Sequence, residues 1–233
     1  MAKRLDKFLC DKNIGTRSQV KVLIQKGQVS VNGEIIKKPE TKVEESDVIC
    51  CQNTVLTNEE YSYYMFHKPA GIITATEDNF QKTVLDYFKE EPCKNLYPVG
   101  RLDKDTEGLL LITNDGELGH RLLSPRHHIE KTYFVKLECD IHESDIKQLE
   151  EGVDIGEKRM TLPAKIEVLD EKTVHITITE GKFHQVKRMF EAVNNKVVYL
   201  KRISMGNMKL DEALSLGEYR RLTEEEITYL TSL

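Results

Sequence analysis

The stretch EGLLLITNDG at residues 107–116 constrains the fold of this 233-residue chain more than any other. Residues 109–113 read as a short buried strand, ended by an Asn114-Asp115-Gly116 turn, and Asp115 then caps a helix through ELGHRLL. A buried strand needs neighbours to take up its backbone hydrogen bonds. The chain supplies them. YSYYMF leads into HKPAGIITAT, with Pro69 and Gly71 in a turn. KTYFVKLEC alternates strongly, and AKIEVLD, KTVHITITE, VVYLKRI and the segment around GEYRRL read as further strands. Helical patterns are fewer: ESDIKQLEEGV, GKFHQVKRMFEAVNN and TEEEITYL, the last opened by a capping box of Thr223 and Glu226. Strand runs with a few helices and no βαβ rhythm predict an α+β domain on an extended mixed, mainly antiparallel sheet.

The first 57 residues have another character. Leu5, Phe8 and Leu9 lie at helical spacing, Thr16 suits an N-cap, and Val20, Leu23 and Ile24 make the apolar stripe of a second helix. Gly27 ends that helix, and QVSVNGEII predicts a hairpin around Asn32-Gly33. Arg17 and Lys21 share the face away from the stripe, and Arg4, Lys7 and Lys12 can join them from the first helix. A helix pair with a cationic exposed side, backed by a hairpin, fits an RNA clamp. Residues 44–60 read as a last strand and then a flexible linker near 56–60, so the predicted domains span 1–57 and 61–233.

Composition narrows the function. The chain is 39% hydrophobic and 31% charged, and no apolar run nears the roughly 18 residues of a membrane span. Its N-terminus is charged throughout, so a cytoplasmic protein without membrane contact is expected. Cys10, Cys50, Cys51, Cys93 and Cys139 are odd in number and lack CxxC spacing, which favours reduced thiols over disulfides or a zinc site. The net charge of −5 conceals two basic islands. Residues 1–43 hold ten Lys/Arg against four Asp/Glu, and residues 181–209 hold seven against Glu191 alone. Such patches meet phosphate locally whatever the overall sign, and they equally suit solvated faces.

Ahead of the buried strand lies GRLDKDT, residues 100–106. A carboxylate at a strand end, on a loop held by Gly100, has a fixed position and limited solvation. That suits a nucleophile, a general base or a metal ligand. Asp103 and Asp105 alone offer too few oxygens for a calcium loop, and as plain loop caps they would pair with Arg101 at the surface. The residues by themselves leave these alternatives open. No Gly-rich phosphate loop with a following lysine is present in the sequence.

These motifs resemble two known families. RLDKFL…TRSQVKVLIQKGQVSVNG is similar to an S4 RNA-binding domain, which carries an αL-type helix pair on a small sheet. VGRLDKDTEGLLLITNDG resembles the signature of the RsuA/RluB/RluE/RluF branch of RNA pseudouridine synthases. HKPAGIITAT, EKTYFVKLE and EGKFHQVKRMF are similar to further family motifs in the same order, so the likeness spans essentially the whole chain. SPRHHIEKTYFVKLE and EGKFHQVKRMF are closer to the small-subunit branch than to large-subunit relatives. Those relatives carry Asn-Arg-Gln where this chain has Phe183-His184-Gln185.

The resemblance implies an enzyme that isomerises one uridine of 16S rRNA, family position 516, to pseudouridine. It implies no cofactor and no metal, a monomer, and action in a small-subunit assembly particle. A sister enzyme acting on 23S rRNA would share the catalytic residues, and a non-catalytic ribosome-assembly protein would share the fold. Carried over by position, Asp103 is the nucleophile, attacking C6 of the base or C1′ of the ribose. Lys187 is the cation beside it, where many relatives have Arg, with Arg188 as the second candidate or a phosphate contact. Tyr133 stacks on the base and helps move a proton, and Leu200 walls the pocket. Arg101 fills the gap left by the extruded nucleotide or holds phosphate. Asp105, Thr106 and Asn114 read as turn formers, and His67, His127, His128 and His184 as surface or RNA-contacting groups.

Overall fold

The computed structural model describes residues 3–12, 14–44, 46–52, 54–56, 61–93, 95–124 and 127–233. The predicted linker lies largely outside them, at 57–60. The described residues form two compact units, one from 1–62 with 90–95 and one from 63–89 with 96–233.

In the first unit β1 (Lys3–Arg4) leads into α1 (Leu5–Asp11), and α2 (Arg17–Gln25) follows. Thr16 opens α2 with a capping box: its hydroxyl accepts from the Gln19 N–H, and the Gln19 side chain accepts from the Thr16 N–H at 2.8 Å. β2 (Val29–Val31) and β3 (Glu34–Ile35) form the expected hairpin. Its turn places Asn32 at φ 52° and Gly33 at φ 86°, the two positive values of a type I′ turn. β4 (Lys42–Val43) pairs with β1, while β5 (Ile49–Cys51) and β6 (Thr54–Leu56) complete a sheet of order β3-β2-β5-β6. Leu5, Phe8, Leu9, Val20 and Ile24 pack on Val29, Val43 and Ile49, the stripe that helical spacing predicts.

The second unit begins with β7 (Tyr63–Lys68), β8 (Tyr97–Val99), β9 (Glu107–Thr113) and α3 (Gly116–Leu123). It continues through β10 (Lys131–Leu137), α4 (Glu143–Glu151), β11 (Lys165–Asp170), β12 (Thr173–Ile178) and α5 (Gln185–Ala192). β13 (Val197–Met205), β14 (Met208–Lys209), β15 (Tyr219–Arg221) and α6 (Glu224–Ser232) close the chain. The sheet runs β11-β12-β10-β13-β9-β7-β15, with β14 on β13 and β8 on β9. β9 and β13 are parallel, and the other pairings are antiparallel.

The apolar run is β9, and it is covered on both faces. Leu109 and Leu111 share a core with Met65, Leu118, Leu122, Leu222 and Leu230. Leu110 and Ile112 stand opposite Phe66 and Tyr64 of β7, whose rings meet Phe88 at 5.5 and 5.4 Å. Burial on two faces explains a continuous run where a half-exposed strand would alternate. Asp115 caps α3 as predicted, its Oδ1 accepting from the Leu118 N–H at 3.0 Å.

One strand lies in a segment given no element above, and one helix starts later than its pattern suggests. LYPVG contains a strand, β8, and its Pro98 is tolerated because β8 hydrogen-bonds to β9 alone. The helix in GKFHQVKRMFEAVNN starts only at Gln185, since His184 adopts a left-handed conformation, φ 50°, that cannot continue a right-handed helix. Among the described residues no helix is long and apolar enough to cross a membrane.

Candidate active site

β7 ends in Lys68, a lysine with no exposed surface. Its Nζ donates to the carbonyls of Pro69 (3.1 Å), Asp103 (3.0 Å), Lys104 (3.3 Å) and Thr106 (2.9 Å). Two further bonds come from the same HKPAGIIT segment. The Gly71 N–H donates to the Lys104 carbonyl at 2.7 Å, and the Thr74 hydroxyl donates to the Leu102 carbonyl at 2.7 Å. Loop 100–106 is therefore held by its backbone, which leaves the Asp103 side chain unspent. Burial brings the Lys68 pKa down to about 8 in spite of the nearby carboxylates of Asp105, Asp103 and Glu107.

The Asp103 side chain faces the first turn of α5. Lys187 Nζ lies 3.0 Å from Asp103 Oδ2 and 2.6 Å from Asp105 Oδ1, so two carboxylates share one ammonium. His184 Nε2 stands 3.7 Å from Asp103 Oδ1. The side chains of Lys187 and Asp103 are only 19% and 25% exposed, whereas Asp105 is largely in solvent. Burial alone would lower the Lys187 pKa, but the bonds to Asp105 and Asp103 outweigh it and hold the ammonium above its ordinary value. Asp105 shows the mirror balance: burial raises it, and the bond from Lys187 brings it below the usual carboxylate range. α5 can present Lys187 this way because Val186, Met189 and Phe190 occupy its inward face.

Of the two cations considered on α5, Lys187 reaches Asp103. Arg188 turns elsewhere, donating to Glu157 Oε1 and the Phe183 carbonyl at 3.0 Å each and to the Ile155 carbonyl. Tyr133 is buried on β10, opposite Arg202 of β13 and Ile176 of β12. Leu200 is buried opposite Val135. The two-residue strand period puts Tyr133, Val135, Leu200 and Arg202 on one face of the sheet. β13 meets β9 at Lys201–Glu107 and Arg202–Gly108, directly after the Asp103 loop. There Gly108 has φ 107°, and a Cβ on it would overlap the Arg202 backbone. Arg202 is itself buried, with Nε donating to the Leu109 carbonyl at 2.8 Å. Arg101 is exposed two residues before Asp103.

In the first unit, Arg4 binds the fully buried Asp6 carboxylate through Nε (3.0 Å) and Nη2 (2.8 Å). Arg17 Nε lies 3.8 Å from the same group. Two of the five cations expected on this face, Arg4 and Arg17, thus also neutralise a buried aspartate, while Lys7 and Lys21 are exposed.

Residues 62–192 match the model of the RNA pseudouridylate synthase family, and residues 3–49 match the S4 domain. The chain belongs to the RNA pseudouridylate synthase family. It is 46% identical to an uncharacterised RNA pseudouridine synthase of Bacillus subtilis, over 97% of this chain and 98% of that one. It is 45% identical to ribosomal small subunit pseudouridine synthase A of Haemophilus influenzae, over 97% of this chain and 99% of that protein. A crystal structure of a pseudouridylate synthase matches with a TM-score of 0.70 at 44% identity, covering 97% of this chain and 99% of that one. The protein is an RNA pseudouridine synthase with an N-terminal S4 domain, built on a mixed, mostly antiparallel sheet.

Lys68 and His67 differ from their sequence reading, and Asp105 and His184 add to theirs. Lys68 was not singled out, although a lysine ending a mostly apolar strand just before a proline is a visible signal. Asp105 lies in a turn at 104–105, as read, and its side chain also reaches α5 and competes for Lys187. His184, read as a surface or RNA-contacting group, has a side chain 42% exposed and also stands beside Asp103. His67 is buried, with its Nδ1 2.7 Å from the Leu214 carbonyl and its pKa lowered by burial, so it is no surface group. Among the described residues no His/Cys/Asp/Glu cluster is arranged to hold a metal ion.

Proposed function

We propose that this synthase converts one uridine of 16S rRNA to pseudouridine with Asp103 as the covalent nucleophile. The observation that carries the reading is the Asp103–Lys187 pair: a carboxylate positioned by its backbone, mostly shielded from water, with an ammonium 3.0 Å away. Relatives in Haemophilus influenzae and Escherichia coli named ribosomal small subunit pseudouridine synthase A support the choice of RNA, and uridine 516 is the target the family pattern suggests.

The isomerisation breaks the N1–C1′ bond and forms C5–C1′; a proton leaves C5 and one is gained at N1, so the reaction balances without a co-reactant. Asp103 attacks C6 or C1′, holds the fragment while uracil turns, and is released. When Asp103 becomes an ester its charge is lost, and Asp105 then keeps the Lys187 ammonium paired. Tyr133 stacks on the base and carries the C5 proton, and Leu200 bounds the pocket. Arg101 occupies the space of the extruded nucleotide. Residues 1–57, through Arg4, Lys7, Arg17 and Lys21, hold the rRNA backbone, and residues 61–233 perform the chemistry. Arg188, through Glu157 and the Phe183 carbonyl, braces the entry to α5 and is a positioning residue. The protein acts in the cytoplasm, as a monomer, on assembling small-subunit particles.

The test is a map of rRNA pseudouridines by carbodiimide labelling and primer extension in cells with the wild-type protein, without it, and with Asp103→Ala. The expected result is loss of one 16S stop in both altered strains. Loss of a 23S stop would overturn the substrate, and persistence of every stop would overturn the catalytic assignment.

A further inference from the structure

Phe80 and Phe183 are the two most exposed large apolar side chains among the described residues, at 96% and 73%. A lone exposed apolar group needs no explanation. The placement of these two does. Phe80 sits on a turn fixed by Asp78, whose Oδ1 accepts from the N–H groups of Phe80 and Gln81 at 2.8 Å each. Gln81 Oε1 in turn accepts from Lys104 Nζ at 2.8 Å, and Lys104 is the residue after Asp103. The Phe183 ring stacks on His184 at 3.8 Å between centroids, 19° from parallel. His184 Nε2 stands 3.7 Å from Asp103 Oδ1. The turn that carries Phe80 is thus tied through Gln81 to Lys104 of the Asp103 loop, the Phe183 ring is stacked on a histidine beside Asp103, and both rings are exposed.

We propose that Phe80 and Phe183 are stacking platforms for the unpaired bases next to the extruded uridine; the inference rests on the rRNA reading above. Extruding a base strips its neighbours of a stacking partner, and an aromatic ring supplies a replacement to any base. The charge nearby is mixed, with Lys82 and Lys104 against Glu77 and Asp78 around Phe80 and Lys182 paired with Glu180 at 3.5 Å, so the exposed aromatic faces carry the inference. A protein partner would ask for a continuous apolar patch, and these are two separate rings on polar segments.

The test uses the full-length protein with a 16S rRNA transcript and with small-subunit particles from cells lacking it. Equilibrium binding and single-turnover product formation are measured for Phe80 and Phe183 changed to Ala, Leu and Trp. Each Ala variant should raise the half-saturating RNA concentration roughly five- to hundredfold. Trp should restore binding, Leu should not, and thermal midpoints should stay unchanged because both side chains are exposed. Wild-type binding by the Ala variants, or Leu performing as well as Trp, overturns the proposal. A defect seen with particles and not with naked RNA also overturns it and points to a protein contact. Failure of the wild-type protein to modify either 16S substrate would overturn the rRNA reading instead, while the binding series decides the platforms separately.

Discussion

Lys68→Met should weaken the fold and slow the reaction although the side chain lies wholly inside the protein. The change keeps most of the volume but withdraws the buried donor from the carbonyls of Asp103 and Thr106. A buried acceptor left without a partner costs about 1–3 kcal/mol. For a domain of this size each kcal/mol moves Tm by about 2–4 °C, so calorimetry should show a fall of several degrees. A loosened loop misplaces Asp103, and single-turnover rates should drop about 10- to 100-fold with RNA affinity little changed. The pH dependence has a definite sign. Lys68 titrates near 8 in the fold against 10.5 ordinarily, so between those values the unfolded chain holds the extra proton and folding gains stability as pH rises. Met does not titrate. The urea-unfolding gap between wild type and variant should therefore widen from pH 7 to 9.5, and a constant gap would show that Lys68 stays charged throughout. From the residues alone, Asp103 and Asp105 could be read as fixed carboxylates between a glycine and an apolar strand, and only the family resemblance pointed to Asp103 as the nucleophile. The place of Lys68 before Pro69 was visible, but the Asp103 carbonyl that it ties lies 35 residues along the chain and no local pattern names it.

At the scale of elements, the close approach of β9 and β13 depends on one glycine. Gly108→Ala forces both a φ of 107° on a residue that avoids it and a methyl group into the Arg202 backbone. Strain and overpacking together should cost about 3–5 kcal/mol, read by urea unfolding. Gly71→Ala is the control, since Gly71 has φ 88° but open space around its missing Cβ, and it should lose only about 1–3 kcal/mol. Equal losses would mean that backbone strain, not the strand contact, decides. Elements with period and caps of their own were readable: α2 from Thr16, α3 from Asp115, and β9 from its unbroken apolar run. The parallel pairing of β9 with β13 was not, since a strand's composition does not name its distant partner. β8 was hidden by being three residues long with a proline in the middle, and the late start of α5 by a left-handed residue that is not glycine.

At the scale of the whole molecule, RNA affinity and catalysis should separate. Lys21 is exposed, whereas Arg17 also leans on Asp6, so Lys21→Gln is the cleaner probe of the helical face. It should weaken binding to 16S and 23S fragments alike and flatten the slope of log affinity against log salt by about 1. The single-turnover rate at saturating RNA should not change. Unaltered salt dependence would remove Lys21 from the RNA contact.

The pairing of β9 also sets an order of events during synthesis. β7 and β8 precede β9 and can meet it as soon as it emerges, but β13 begins at Val197, 84 residues after Thr113. At about 5–20 residues per second, the ribosome needs roughly 4–17 s to deliver that partner. For that interval β8 already covers this edge of β9 at Leu111–Thr113, and what stays open is its start, Glu107 and Gly108, directly after the Asp103 loop. The sheet that aims Asp103 is therefore closed late, by the C-terminal third of the polypeptide.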